Sequence, residues 1–542
     1  MSACLVRLGP SVLRRSLAPL WLVSWLLAVG CGAESADDPA GSISVVSITP
    51  GANAVDVALD TTIRLELSAA PREPFKVSLT AAGGEIAHAM RIEGTTVTLT
   101  PSSPLWIATG YQVAIPESAG LARAFSSSFV TREGGWMPAQ LSSRASATPG
   151  GSAAPTLAVV EDGSVLVSWA SDNALVNQRF SPGAGWNKLV LPVTLNGDDT
   201  FVDTAAASAT QAVAAHRYTL LGGSGSIDAR TYNGSVWSAP VVVSDDRVGN
   251  TTFEQFLGGV ASTPQAHAVS FHRGTFAAGY DLYASLRAGS TWSAPILIEP
   301  LAGSATSSRI AADGRGGFVL LWTQRDAAGS STAVWYSTLS AQGVVGTPQK
   351  LDDGPNDAFG VAMARAGERV WMAWGHRESE SVGSRIVVRS LAADGLGAAK
   401  SFVVPGQLSP QLALAASASG AFVAWSHQGA ITGAIYAAAA WSAPQVIAAA
   451  SSDPADNVGR PALALDDRGN ATATWTRIPK LNGRRSTMAA RWHASRWSTT
   501  TLDDQTRSTR AWSAGVDPQG RVTVLWTDDG APGYRVWAAR LE

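Results

Sequence analysis

A single unit recurs from about residue 135 to the C-terminus, and it limits the fold more than any other feature of the chain. Each copy has an apolar strand, a turn with Asp or Gly, a second strand ending in an aromatic residue, a polar stretch, a third strand and then Trp-x-x-Pro. The fullest copies are Asp162-Gly-Ser-Val-Leu-Val-Ser-Trp169, Gly316-Gly-Phe-Val-Leu-Leu-Trp322, Ala421-Phe-Val-Ala-Trp425, Gly469-Asn-Ala-Thr-Ala-Thr-Trp475 and Gly520-Arg-Val-Thr-Val-Leu-Trp526. Phe271 and Trp374 hold the same place in two more copies. In another, Ala212-Val-Ala-Ala-His-Arg217 aligns with Ala268-Val-Ser-Phe-His-Arg273 and puts Ala215 there. The anchors at 169, 215, 271, 322, 374, 425, 475 and 526 lie roughly fifty residues apart, the length of a four-stranded propeller blade.

A second marker runs in phase. Trp186, Trp237, Trp292, Trp441 and Trp497 open the fourth strand of their copies, with Val345 and Ala398 as degenerate forms. The last copy ends at Glu542 without this strand, and Trp136-Met-Pro-Ala-Gln-Leu141 supplies one ahead of the first copy. Pairing the two would close a ring and remove its exposed edges. The fold expected is therefore all-β, with a propeller over 133–542 of eight blades, or seven if the unit around Ala215 is not a blade. Residues 165, 167 and 169 share one sheet face, so the strand-end tryptophans are expected between blades rather than on sugars.

The Asp466-Asp-Arg-Gly469 and Asp517-Pro-Gln-Gly520 turns resemble the Asp-box of sialidase propellers but depart from it in spacing. That box puts tryptophan three places after its glycine, whereas Trp475 lies six places after Gly469. These turns read instead as hairpins that need glycine for positive φ.

Residues 43–132 alternate apolar and polar side chains in short runs, among them Ile63-Arg-Leu-Glu-Leu67, Thr96-Val-Thr-Leu-Thr100 and Tyr111-Gln-Val-Ala-Ile115. Such runs are half-buried strands of a β-sandwich. With Thr49-Pro50-Gly51-Ala52 at its opening and Ser128-Phe-Val-Thr131 at its close, the segment resembles the bacterial Ig-like family. That resemblance implies a spacer or adhesion module.

Arg7, Arg14 and Arg15 precede an apolar run from Leu17 to Gly30, the length of a signal-peptide core and short for a membrane span. Ala28-Val29-Gly30-Cys31 resembles the bacterial lipobox, although that family usually has leucine where Ala28 stands. The resemblance implies a signal peptide over 1–30, acylation of Cys31 and a tether over 31–42. The membrane would then be a partner through the lipid anchor, and Gly32 after Cys31 favours the outer membrane or cell surface. The two cysteines, Cys4 and Cys31, leave the body of the chain without a disulfide or a thiolate-bound metal.

A formal net charge of −2 gives no field for nucleic acid, which is not expected as a partner. Polar residues follow the strand-end anchors in what should be the loops between second and third strands, on the face where propellers bind ligands. His216, Arg217, His272, Arg273, Arg325, His376, Arg377, His427 and Asp528 are thus expected to form a recognition rim for a glycan or a protein. Histidines on separate blades are too far apart for one metal, and neither a metal nor a cofactor is expected. No nucleophile, acid–base pair or arginine cluster can be assigned, so the chain reads as a binding or scaffold module and not an enzyme. The alternatives are a propeller lectin, or a polysaccharide hydrolase of sialidase-like architecture whose first candidate carboxylates are Asp326, Glu378 and Asp528.

Overall fold

The computed structural model describes residues 42–81, 84–141, 154–171, 174–187, 198–219, 225–244, 254–351, 357–379, 381–407, 409–452, 456–479, 483–493, 496–504, 506–530 and 533–542. The expected signal peptide, the expected acylation site at Cys31 and nearly all of the expected tether lie outside these residues.

Two antiparallel-rich sheets form the N-terminal sandwich. One orders its strands 45–49, 63–67, 96–101 and 88–93; the other orders 54–57, 125–131, 110–115, 78–81 and 84–85. Alternation decides which side chains meet between them. Ile63, Leu65 and Leu67 point inward while Arg64 faces out, and they pack with Val97, Leu99, Val113, Ile115 and Phe129. Tyr111 stacks on Phe129 at 5.4 Å between centroids.

Eight sheets follow, each with its first strand paired to its second and its second to its third. The second strands carry the anchors and are apolar nearly throughout. In Phe318–Arg325 every residue but the last is buried, as expected of a strand covered on both faces. All eight anchors, Ala215 included, are at most 3% exposed, so the unit without an aromatic is a blade like the others. Most fourth strands are short or broken: Trp186, Trp292 and Trp441 end two-residue strands on the outer edge, whereas Arg496–Thr501 is continuous.

Each neighbouring pair of blades shares a core, and so do the last and the first. Val165, Val167 and Trp169 pack with Leu525, Val536 and Ala538. The eighth sheet is completed from in front of the first blade, because Trp136–Gln140 pairs antiparallel with Gly533–Leu541 in a register that sets Trp136 opposite Leu541. The hairpins between first and second strands are held by aspartate. Asp313, Asp466 and Asp517 each accept backbone N–H groups two and four residues ahead, and Gly469 and Gly520 adopt φ of 84° and 78°.

The sandwich is docked on the ring at the seam. Ile107 and Ala108 are buried among Val522, Val524 and Trp526, and the Arg468 guanidinium sits 3.4 Å from the Trp106 ring centroid. The connecting residues pair with the chain terminus, since Gly135 and Glu542 exchange backbone hydrogen bonds of 2.8 and 3.0 Å. Gly134 has φ of 78°, and a Cβ there would come within 2.9 Å of the Glu542 carbonyl oxygen, so this close passage needs glycine.

Candidate functional site

The innermost strands of neighbouring blades line the axis of the ring, and several are interrupted near their N-terminal ends. Register shifts fall between Thr200 and Val202, Leu257 and Gly259, Thr306 and Arg309, Phe359 and Val361, and Ala511 and Ser513. Phe201, Ser307 and Gly360 take positive φ of 56°, 47° and 50° at these points. A bulge puts two residues opposite one and re-aims a side chain, so the repeated bulge turns groups toward the axis that a regular strand would hold against the next blade.

The result is a funnel of about 790 Å³ lined by residues of blades four to eight. Its volume falls in the range of roughly 300–1,000 Å³ of small-molecule sites. Ser307, Ser409, Gln411, Asn457 and Thr476 offer hydrogen-bonding groups, Phe359 and Trp512 offer rings, and Arg309, Arg460, Arg485 and Arg510 offer charge. Trp512 is fixed by its indole N–H, which donates to Thr527 Oγ1 at 2.9 Å, and the Arg510 guanidinium lies 4.4 Å from its centroid.

Two of the arginines are perturbed by their surroundings. Burial, and then the like charge of Arg309, push Arg460 down to about 10. Its Nε donates to the Leu412 carbonyl at 3.1 Å, and its side chain is open to the funnel although protein surrounds it. Burial also lowers Arg309, opposed by Asp203. Asp203 is raised by its own burial, although the Val260 and Thr204 amides donate to it.

The residues expected to form the rim lie at the same end of the ring but mostly point elsewhere. Strands extend past the anchors, so His216, His272, His376 and Asp528 are buried strand residues and not loop groups. The placement in exposed loops is corrected for them, because pairing continues two to five residues beyond each of these anchors. His272 Nε2 lies 2.8 Å from Ser308 Oγ in the next blade, and burial holds its pKa down at about 4. Neither ring nitrogen of His376 has a hydrogen-bond partner among the described residues. Asp528 accepts from Arg535 and from the Trp537 indole N–H at 3.0 Å.

Arg217 stacks 4.5 Å from the Phe256 centroid, Arg273 is partly buried, Arg325 is exposed, and His427 Nε2 lies 3.0 Å from the Pro405 carbonyl. Arg377 reaches the funnel wall: Nε donates to Ser409 Oγ at 3.1 Å, Nη1 pairs with Asp357 at 3.2 Å, and its guanidinium lies 5.6 Å from Phe359. The candidate carboxylates do not converge. Asp326 is held at about 2 by Ser330 and Ser331, while Glu378 pairs with Arg385.

The four funnel arginines, Phe359 and Trp512 were not marked by the repeat logic. Arg309 follows the bulge within Ser304–Ala312, Arg460 lies in the break between Asn457–Val458 and Ala462–Leu465, and Arg510 is second in Thr509–Val516; alternation breaks down at these places, and that irregularity was the signal available.

Residues 40–131 match the model of the bacterial Ig-like domain family. No curated protein matches the chain. Among solved structures it is similar to the Dos1 propeller, with 9% identity over 74% of this chain and 94% of that one and a TM-score of 0.43. It is also similar to a Penicillium chrysogenum alpha-L-arabinanase complexed with arabinobiose (9% identity, 74% and 96% covered, TM-score 0.36). A third is an ulvan lyase of polysaccharide lyase family PL25 (9% identity, 73% and 93% covered, TM-score 0.40). The expectation that the chain is not an enzyme is corrected, since these last two structures are of enzymes.

Proposed function

We propose that this protein is exported, held on the cell envelope by a lipid on Cys31, and recognises a carbohydrate in the funnel of its propeller. The supporting observation is the convergence of five consecutive blades on one cavity that combines hydroxyl, amide and guanidinium groups with the rings of Phe359 and Trp512. Sugars present hydroxyls to such donors and acceptors and C–H faces to aromatic rings, and a concave site of this size excludes much of the competing water. The docked sandwich would set the propeller off the membrane.

A glycan array probed with the whole protein tests the site. Hits that vanish in Trp512→Ala and Phe359→Ala, with melting temperatures kept, support it; hits unchanged in both variants, or no hits at all, count against it. The same glycans incubated with the protein and assayed for new reducing ends or unsaturated uronate read out cleavage, since recognition is common to lectins and to glycan-cleaving propellers. For the anchor, metabolic labelling with a clickable palmitate should mark the mature protein and fail in Cys31→Ala.

A further inference from the structure

The charge of the funnel goes beyond general sugar recognition. Over the chain, cations and anions nearly balance, with 40 Lys and Arg against 42 Asp and Glu. Elsewhere on the described surface several arginines meet carboxylates, among them Arg179 with Asp162, Arg477 with Asp456 and Arg535 with Asp528. In the funnel, Arg309, Arg460, Arg485 and Arg510 come together from three blades, and no described lining residue is Asp or Glu.

Their local partners are weak in charge. Arg309 donates to the Ser308 carbonyl at 2.7 Å, Arg460 to the Leu412 carbonyl, and Arg510 rests on an indole face. Asp203, which accepts from two backbone amides, offsets part of the charge of Arg309 alone. Like charges in one cavity that no lining carboxylate balances repel one another and raise its potential, and the protein walls screen the field less than an open surface would. Guanidinium groups are shaped to grip planar or tetrahedral oxyanions with two parallel hydrogen bonds.

We infer that the funnel takes an acidic saccharide segment, with arginine forks on its carboxylate or sulfate groups and Asn457, Gln411 and the serines on its hydroxyls. This rests on the carbohydrate reading above. A saccharide is favoured over an acidic peptide because the site is a concave funnel of about 790 Å³, sized for a few rings, and is lined also by neutral groups that match ring hydroxyls. Oxyanion binding needs no proton or electron to be transferred.

Calorimetric titration of the whole protein tests this with four probes: an oligogalacturonate, a sulfated oligosaccharide, a neutral oligosaccharide of the same ring number, and oligoglutamate. One or both acidic sugars should bind at about 50 mM salt, weaken as salt rises, and lose about tenfold in affinity for each bidentate arginine pair removed. Arg460→Gln and Arg510→Gln are the primary variants. Arg485→Gln serves where either fails to keep the parent melting temperature, because that exposed side chain makes no described contact that folding would lose. Neutral sugar binding as tightly as acidic, or acidic sugar binding untouched by these variants, would overturn the inference while leaving carbohydrate recognition standing. Oligoglutamate bound more tightly than either acidic sugar would assign the funnel to a peptide instead. Failure of every saccharide would bring down the underlying reading as well.

Discussion

His272 illustrates how a residue with a functional look becomes a packing residue. It follows an anchor in sequence, and the strand carries it into the wall between blades three and four, where its Nε2 meets Ser308. Burial holds it neutral down to about pH 4, and His267 is held in the same way. The folded form therefore declines a proton that the unfolded chain accepts below its ordinary pKa of 6.5. The contribution of His272 to stability is complete above that value, is lost as the pH falls from 6.5 toward 4, and changes no further below. The loss is on the order of 3 kcal/mol at most. Urea melts of parent and His272→Gln should then differ more at about pH 7.5 than at about pH 4.5. A gap independent of pH would show that the imidazole titrates freely in the fold.

At the scale of the element, the blade is made by its second strand. Trp322 is fully buried between blades three and four, with Leu282, Phe318 and Leu320 around it and its indole N–H donating to Gln324 at 3.0 Å. Trp292 belongs to an outer two-residue strand and is only partly covered. Trp322→Ala should cost about 3–5 kcal/mol in urea denaturation, the usual price of emptying a tryptophan-sized core site, and Trp292→Ala clearly less. Equal losses would mean that the strand-end tryptophan is not the organising residue. The bulges near the starts of first strands are the other determinant at this scale. Ser307 and Gly360 sit at positive φ there and line the funnel, so those strand ends give up ladder pairing to aim groups at the axis.

For the whole molecule, the seam is where the sandwich, the linker that follows it and the C-terminal strand meet. The strand 136–140 closes the eighth blade, Gly135 pairs with Glu542, and the Trp106 loop covers the join. This couples the sandwich to the ring, and the two should unfold together in calorimetry. Trp106→Ala removes the Arg468 contact, worth about 0.5–2 kcal/mol, together with apolar cover. Combined with Ile107→Ser it should split the melt into two transitions. A parent protein that already melts in two independent steps would refute the coupling.

Much of this was legible in one dimension because a blade is a local structure. The period near fifty, the apolar second strand and the Asp-x-x-Gly turn are set by residues within a few tens of positions, so the eight anchors, the Ig-like alternation and even the closing strand at Trp136 could be read from the sequence. The site was not legible in the same way. A funnel forms only where first strands from separate blades approach one axis, and Arg309, Arg460 and Arg510 acquire their meaning from one another across some two hundred residues. Whether a polar residue after an anchor faces solvent depends on how far its strand continues, and pairing with neighbours decided that: His216, His272 and His376 went into the walls, while arginines at breaks in the first strands came to the opening.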